Sequence, residues 1–396
     1  MLFVADLFAS DLAGGGELCS EEIINYLEKS ESNKIRRVYS HLLTEATLKG
    51  YVNKPILISN FINLKQEIKE YLISGGFTYF IIEHDHKYCK ARNPLAYEGM
   101  IVPDSELVNQ KFYHSAKAVF CQSKSHAEIL QKNVWSSNVV NLGCNLWSDK
   151  DLSELEKRIG TPKTRTLGIM QSPNPIKGTR KAIELCESKK LSYELIPPSE
   201  QLKFWDELAR TESIVFLPQT FETYSRFAME AKILGCKMIT NKAIGAMSED
   251  YYSINGLELL DTIKTKKQEV LENIRSMLKT NTPIAPIAKP KVSLITTVYK
   301  GEKFMEGFLN SFVNQLNRDN HELIIIDADS PENEMAIAQP YWEKYPNIKY
   351  LRLKEKTTTM EAFNIATDMA TGEYIALCMI DDRITNFHLD FLSKRL

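Results

Sequence analysis

Residues 216–235, FLPQTFETYSRFAMEAKILG, decide how the rest of the chain is read. The apolar run 214–217 reads as a buried parallel strand that breaks at Pro218. A helix follows, in which Phe227, Ala228, Ala231 and Leu234 recur at helical spacing. Glu222 falls in the loop just before that helix, and Glu230 lies at the flank of its apolar stripe. Such a helix mouth offers free backbone N–H groups, here at Thr223, Tyr224 and the two residues after them, together with the positive end of the helix dipole. It can hold a diphosphate, and a carboxylate two turns in can take a ribose diol. A nucleotide sugar fits that geometry, whereas two glutamates on an amphipathic helix are otherwise solvated surface.

The spacing E-x7-E, the aromatic and Thr after the first Glu, the EA after the second and the turn at Gly235 together resemble the retaining glycosyltransferases of the two-Rossmann (GT-B) fold. The resemblance implies that Glu222 contacts the donor sugar and Glu230 the ribose. Other loops extend it. In residues 13–17, AGGGE, successive glycines let backbone approach a ligand, and the family has a similar loop facing the donor, which puts Gly15 and Gly16 there. The loop 83–88, EHDHKY, carries two histidines. No third ligand accompanies them for a metal, and the resemblance instead implies that His84 or His86 lies near the transferred sugar. Lys177, beside Gly178 at the mouth of a further helix, is placed to meet a diphosphate as a point charge. The family pairs that lysine with an arginine five residues earlier, where this chain has Ser172; Arg165, Arg180 or Arg226 are the cations that would have to substitute.

Composition sets outer limits. With 396 residues the chain is too long for one core, and a net charge of −2 gives no basic field for nucleic acid. Seven scattered cysteines without a C-x-x-C pair fit reduced thiols of a cytoplasmic protein. No run is long and apolar enough to span a bilayer, and the N-terminus MLFVADLF reads as a first strand; Lys34, Arg36 and Arg37 are candidates for a peripheral membrane face.

Apolar runs alternating with amphipathic segments predict an α/β chain. Residues 1–155 form a first Rossmann-like lobe on the acceptor side, and 156–280 form a second lobe on the nucleotide-sugar side, ending in a closing helix. Residues 281–290, with three prolines, read as a linker. The pattern then restarts: 292–299 is a buried strand, 302–316 a helix, and 322–326 a strand ending in Asp327. VSLITTVY, DADS, MEAFN, TGEYIA and DDR follow one another in the order of the inverting GT-A glycosyltransferases, and 291–396 resembles the nucleotide-binding half of such a domain. A strand-end carboxylate, Asp327, can receive a base N–H or a ribose hydroxyl. Asp381 and Asp382 are candidates to hold Mg²⁺ or Mn²⁺ against the donor diphosphate, with Met379 where the family has another acid.

The reading is therefore a fused glycosyltransferase that uses a nucleoside-diphosphate sugar and a glycan, lipid-linked or protein acceptor, with no nucleic-acid partner. A GT-B epimerase and a non-catalytic nucleotide-sugar binder stand as alternatives.

Overall fold

The computed structural model describes residues 1–31, 34–134, 138–279, 292–315 and 318–395; the expected linker at 281–290 lies outside them. Three parallel sheets account for all the strands among these residues. The first contains β1 (Leu2–Ala5), β2 (Arg36–Tyr39), β3 (Ile56–Ile58), β4 (Tyr79–Ile82), β5 (Ala118–Cys121) and β6 (Val139–Asn141), in the order β2-β1-β3-β4-β5-β6. The second contains β7 (Arg165–Met170), β8 (Glu194–Ile196), β9 (Thr211–Phe216) and β10 (Lys237–Thr240), ordered β10-β9-β7-β8. The third contains β11 (Val292–Val298), β12 (His321–Asp327), β13 (Ile348–Arg352) and β14 (Tyr374–Leu377), ordered β13-β12-β11-β14.

The inner strands are short apolar runs because parallel strands covered by helices are buried on both faces; β1, β4 and β5 are buried at every residue. β2 is the exception. Its sequence RRVY is half exposed and sits at the sheet edge, so the periodicity that marks the other strands is missing and Arg36 and Arg37 belong to a strand instead of a free basic loop. Arg37 is paired with Glu21 at 2.7 Å on the surface, so its charge already has a partner within the chain.

The helix Gly256–Lys279 closes the second sheet and returns to the first. There Lys267 meets Glu22 at 3.0 Å and Tyr26 donates to Glu272. One apolar cluster accordingly runs through both sheets, from Phe3 and Leu27 to Trp205, Met229 and Leu278. The third sheet has its own clusters, drawn only from residue 292 onward.

Candidate functional site

At the junction of the first two sheets, the loop after β4 meets the loop before the helix Arg226–Ile233. His86 approaches the Phe221 carbonyl through Nε2 at 3.3 Å, and its Nδ1 lies 2.9 Å from the Tyr88 hydroxyl. The Thr223 hydroxyl is within donating distance of the His84 carbonyl, 2.9 Å, and of Gln122 Oε1, 2.8 Å. Ser123 donates to the Thr223 carbonyl at 2.7 Å. The sequence-predicted residues His84, His86, Glu222 and Thr223 are thus brought together.

The two histidines differ. His86 is 1% exposed, has φ 59° and packs edge-on against His126 and Phe221, so it is a tie between the sheets and not a group facing a ligand. His84 accepts from Gln122 through Nδ1 at 3.0 Å, and its Nε2 lies buried with no hydrogen-bond partner among the described residues. Burial holds both rings at about 4, well below the usual imidazole value, so both are neutral at pH 7. Beneath them Glu83 is fully buried. Burial pushes its carboxyl up, but Lys87 at 2.8 Å, the Tyr113 hydroxyl and the Asp85 N–H outweigh that and hold it at about 2.

Gly15 and Gly16 open the helix Gly15–Glu31 and face these groups. A methyl group on Gly16 would stand 3.2 Å from His84 Cγ, and one on Gly15 would stand 3.3 Å from Arg226 Cδ, so the glycines let these two side chains lie close against the start of the helix. Lys177 and Glu222 meet at 2.8 Å, partly exposed at the carboxyl edge of the second sheet. Gly178 has φ 73°, and a Cβ there would fall 1.7 Å from the Leu217 carbonyl oxygen; only glycine lets the Lys177 loop lie against the end of β9.

Two expectations are corrected. Glu230 does not present its carboxylate for a ribose: Oε1 accepts from Trp147 Nε1 at 2.8 Å and Oε2 from Trp205 Nε1 at 2.9 Å, with both tryptophans fully buried. Burying an indole demands an acceptor for its N–H, and Glu230 serves two. The Tyr224 side chain is also core, its hydroxyl 2.6 Å from that of Tyr251. Arg226 went unassigned beyond its charge. It stacks 4.6 Å over Trp147, donates to the Leu146 carbonyl and lies 3.6 Å from Glu230, so it closes the same knot. The sequence signal was the pair Trp147 and Trp205, two indoles with no acceptor of their own.

In the third sheet Asp327 ends β12. Its Oδ1 accepts from the Ser330 N–H and its Oδ2 from the Tyr350 hydroxyl, both at 2.7 Å, and Arg352 stands 3.7 Å away. Burial, only partly offset by these partners, raises its carboxyl. Asp381 and Asp382 follow β14 in an exposed turn that Arg383 braces by donating to the Asp382 carbonyl at 2.7 Å. β12 and β14 flank β11, so both acidic positions lie at one carboxyl edge, where open α/β sheets bind ligands.

Residues 293–386 match the family model Glycosyl transferase family 2. The chain is 32% identical over 108 residues to the putative teichuronic acid biosynthesis glycosyltransferase TuaG of Bacillus subtilis, covering 27% of this chain and 41% of the relative. It is 31% identical over 96 residues to the poly(ribitol-phosphate) beta-glucosyltransferase of Bacillus spizizenii, covering 24% and 15%. The chain thus spans less than half the length of these relatives. Among solved structures, S. aureus TarS 1-349 in complex with UDP-GlcNAc is 25% identical, with a TM-score of 0.25 over 26% of this chain and 30% of that one. Anabaena Alr3699/HepE in complex with UDP and glucose is 13% identical, with a TM-score of 0.38 over 72% and 94%.

Proposed function

We propose that the chain is a glycosyltransferase that moves a sugar from a nucleoside-diphosphate sugar to an acceptor hydroxyl in the synthesis of a polysaccharide or glycoconjugate. The observation that carries this is the family match over residues 293–386, within which Asp327 and the Asp381–Asp382 pair share one sheet edge. The relatives' teichoic and teichuronic acid names support a polysaccharide acceptor.

Asp327 receives the nucleoside, with its remaining acceptor capacity turned to a base N–H or a ribose hydroxyl. No group of three or more potential metal-holding side chains is gathered among the described residues. Mg²⁺ commonly takes only one or two carboxylates together with substrate phosphates, so Asp381 and Asp382 fit that smaller donor set. Bound there, a divalent ion would neutralise charge developing on the leaving diphosphate.

The first two sheets form a second nucleotide-sugar site of the GT-B kind. Lys177 meets the diphosphate, Glu222 orients the sugar after leaving its ion pair, and the His84 Nε2–H donates to a sugar hydroxyl beside Gly15 and Gly16. With Glu230 tied to two indoles and Ser172 in place of a second cation, this unit supports binding better than turnover. A non-catalytic donor-binding role is therefore the second reading for this unit.

Thermal stabilisation by a panel of nucleotide sugars, with and without Mn²⁺, tests the proposal, since a ligand of the folded state shifts melting by mass action. Expected is a shift with at least one nucleotide sugar and transfer to an added acceptor. The absence of both across the panel overturns it.

A further inference from the structure

We infer that Glu334 is a positioning residue of the third-sheet site, which fixes the loop that aims Asp327 at a nucleoside. This rests on the reading of Asp327 as the group that receives the nucleoside. Glu334 opens the helix Glu334–Lys344 and is fully buried. Its Oε1 accepts from the Gly301 N–H and from the Ser330 hydroxyl, both at 2.7 Å. One oxygen thus joins the loop after β11 to the loop after β12.

Ser330, also fully buried, passes the restraint on. Its hydroxyl oxygen accepts from the Lys300 N–H at 2.8 Å, its N–H donates to Asp327 Oδ1 at 2.7 Å, and its carbonyl accepts from Arg352 Nη2 at 2.7 Å. With the Tyr350 hydroxyl on Oδ2, both oxygens of Asp327 are held, and the hold on Oδ1 runs back through Ser330 to Glu334. Two longer, exposed ties repeat the clasp at its rim. The Glu302 N–H donates to Glu332 at 3.1 Å, and the Asn333 N–H donates to Glu302 at 3.2 Å.

Two features indicate that the clasp serves a ligand and not the fold alone. Glu334 Oε2 is buried with no hydrogen-bond partner among the described residues, which lowers stability and which a residue kept only for packing would avoid. Lys300 and Asp329, one on each loop, have φ of 55° and 58°, in the left-handed region that non-glycine residues seldom adopt. Strained backbone of this kind persists where surrounding bonds over-determine it, and it gathers at ligand sites. Here those bonds come from Ser330 and Glu334. Both strained residues lie just past the carboxyl ends of β11 and β12, where Val298 stands opposite Asp327.

Isothermal titration well below the melting transition tests the inference, using the full chain in a Lys177→Ala background so that only the third-sheet site is read. The probes are UDP-glucose, UDP-GlcNAc and GDP-mannose, each with Mn²⁺. Glu334→Ala should raise the Kd of whichever probe binds by about tenfold, as one well-placed acceptor is lost to the ligand. Glu334→Gln, which keeps an acceptor oxygen for Gly301 and Ser330, should stay within about twofold of the parent. Ser330→Ala should reproduce the loss, and Ser330→Ala/Glu334→Ala should lose no more than either single variant, because the two residues act in series. A role confined to stability would lower the melting temperature and leave Kd unchanged. Where the alanine variant does not fold, Glu334→Asp, one methylene shorter, should show the same rise. Unchanged Kd in the folded Glu334 variants, a glutamine variant as weak as alanine, or full additivity with Ser330→Ala overturns the inference and leaves donor binding standing. No binding of any probe in the Lys177→Ala background overturns it together with the assignment of Asp327.

Discussion

Glu230 shows how a motif residue can be claimed by packing. Its two oxygens are the acceptors for Trp147 and Trp205, and removing them strands two buried indole N–H groups, each costing about 1–3 kcal/mol. Glu230→Ala is therefore expected to lower unfolding stability by roughly 2 to 5 kcal/mol in urea titration. Glu230→Gln, which keeps one acceptor oxygen, should lose less. A variant with unchanged stability that has lost only donor affinity would return Glu230 to the ribose. His86 supports a second prediction. Its folded value of about 4 lies below the ordinary 6.5, so between those limits the unfolded chain binds the extra proton. Its contribution is fully present above about pH 6.5 and is lost as pH falls toward 4, up to roughly 3 kcal/mol. Glu83 is depressed in the same sense, but over the window from its ordinary value down to about 2, so the two losses are separated on the pH axis. His86→Asn, which tolerates the positive φ, should flatten the slope of stability between pH 6.5 and 4 and leave the slope below it in place.

Among the elements, Gly178 is the sharpest test of what holds Lys177. An added methyl meets the Leu217 carbonyl oxygen at 1.7 Å in a backbone region that L residues avoid, so Gly178→Ala should cost upwards of about 3 kcal/mol or push the 175–178 turn away from β9. Circular dichroism melts measure the first outcome, and lost protection of the turn in hydrogen exchange measures the second. Elements of this kind were legible in the sequence where burial on both faces wrote an apolar run. β1, β9, β11 and β12 were each expected within a few residues of where they lie. β2 was not, because an edge strand with two exposed arginines followed by two half-buried residues has no apolar run to show. The closing helix, expected at the end of the second lobe, begins at Gly256; its first turns, with Leu257 half exposed, carry a weaker stripe. The juxtaposition of Lys177 with Glu222 and the close approaches at Gly16 and Gly178 were legible in the sequence as loops at strand ends, where local backbone demands and charge coincide. The place of Glu230 was not legible, because its partners are 83 and 25 residues away in the chain and cannot be read from spacing.

At the scale of the whole molecule, the clusters beneath the first two sheets contain no residue beyond 278, and those of the third sheet contain none before 292. Apolar burial is the main source of cooperativity, so the two parts should melt as separate units and give two calorimetric transitions. That separation lets the two proposed nucleotide-sugar sites be told apart without measuring transfer. If Asp381 and Asp382 hold a divalent ion against a diphosphate, nucleotide sugar with Mn²⁺ should raise only the transition of residues 292–395. At a hundredfold excess over Kd the gain is about 2.7 kcal/mol. Asp381→Asn/Asp382→Asn should abolish that gain without lowering the transition itself, since both side chains are exposed and no buried partner depends on them. Asp327→Asn should weaken the gain and also lower the transition, because Tyr350 and the Ser330 N–H lose a charged acceptor. Lys177→Ala should leave all of this intact and remove only a metal-independent shift of the other transition. A Mn²⁺-dependent shift that survives the double asparagine variant would place the ion elsewhere, and one that moves both transitions together would show that the two parts unfold as one.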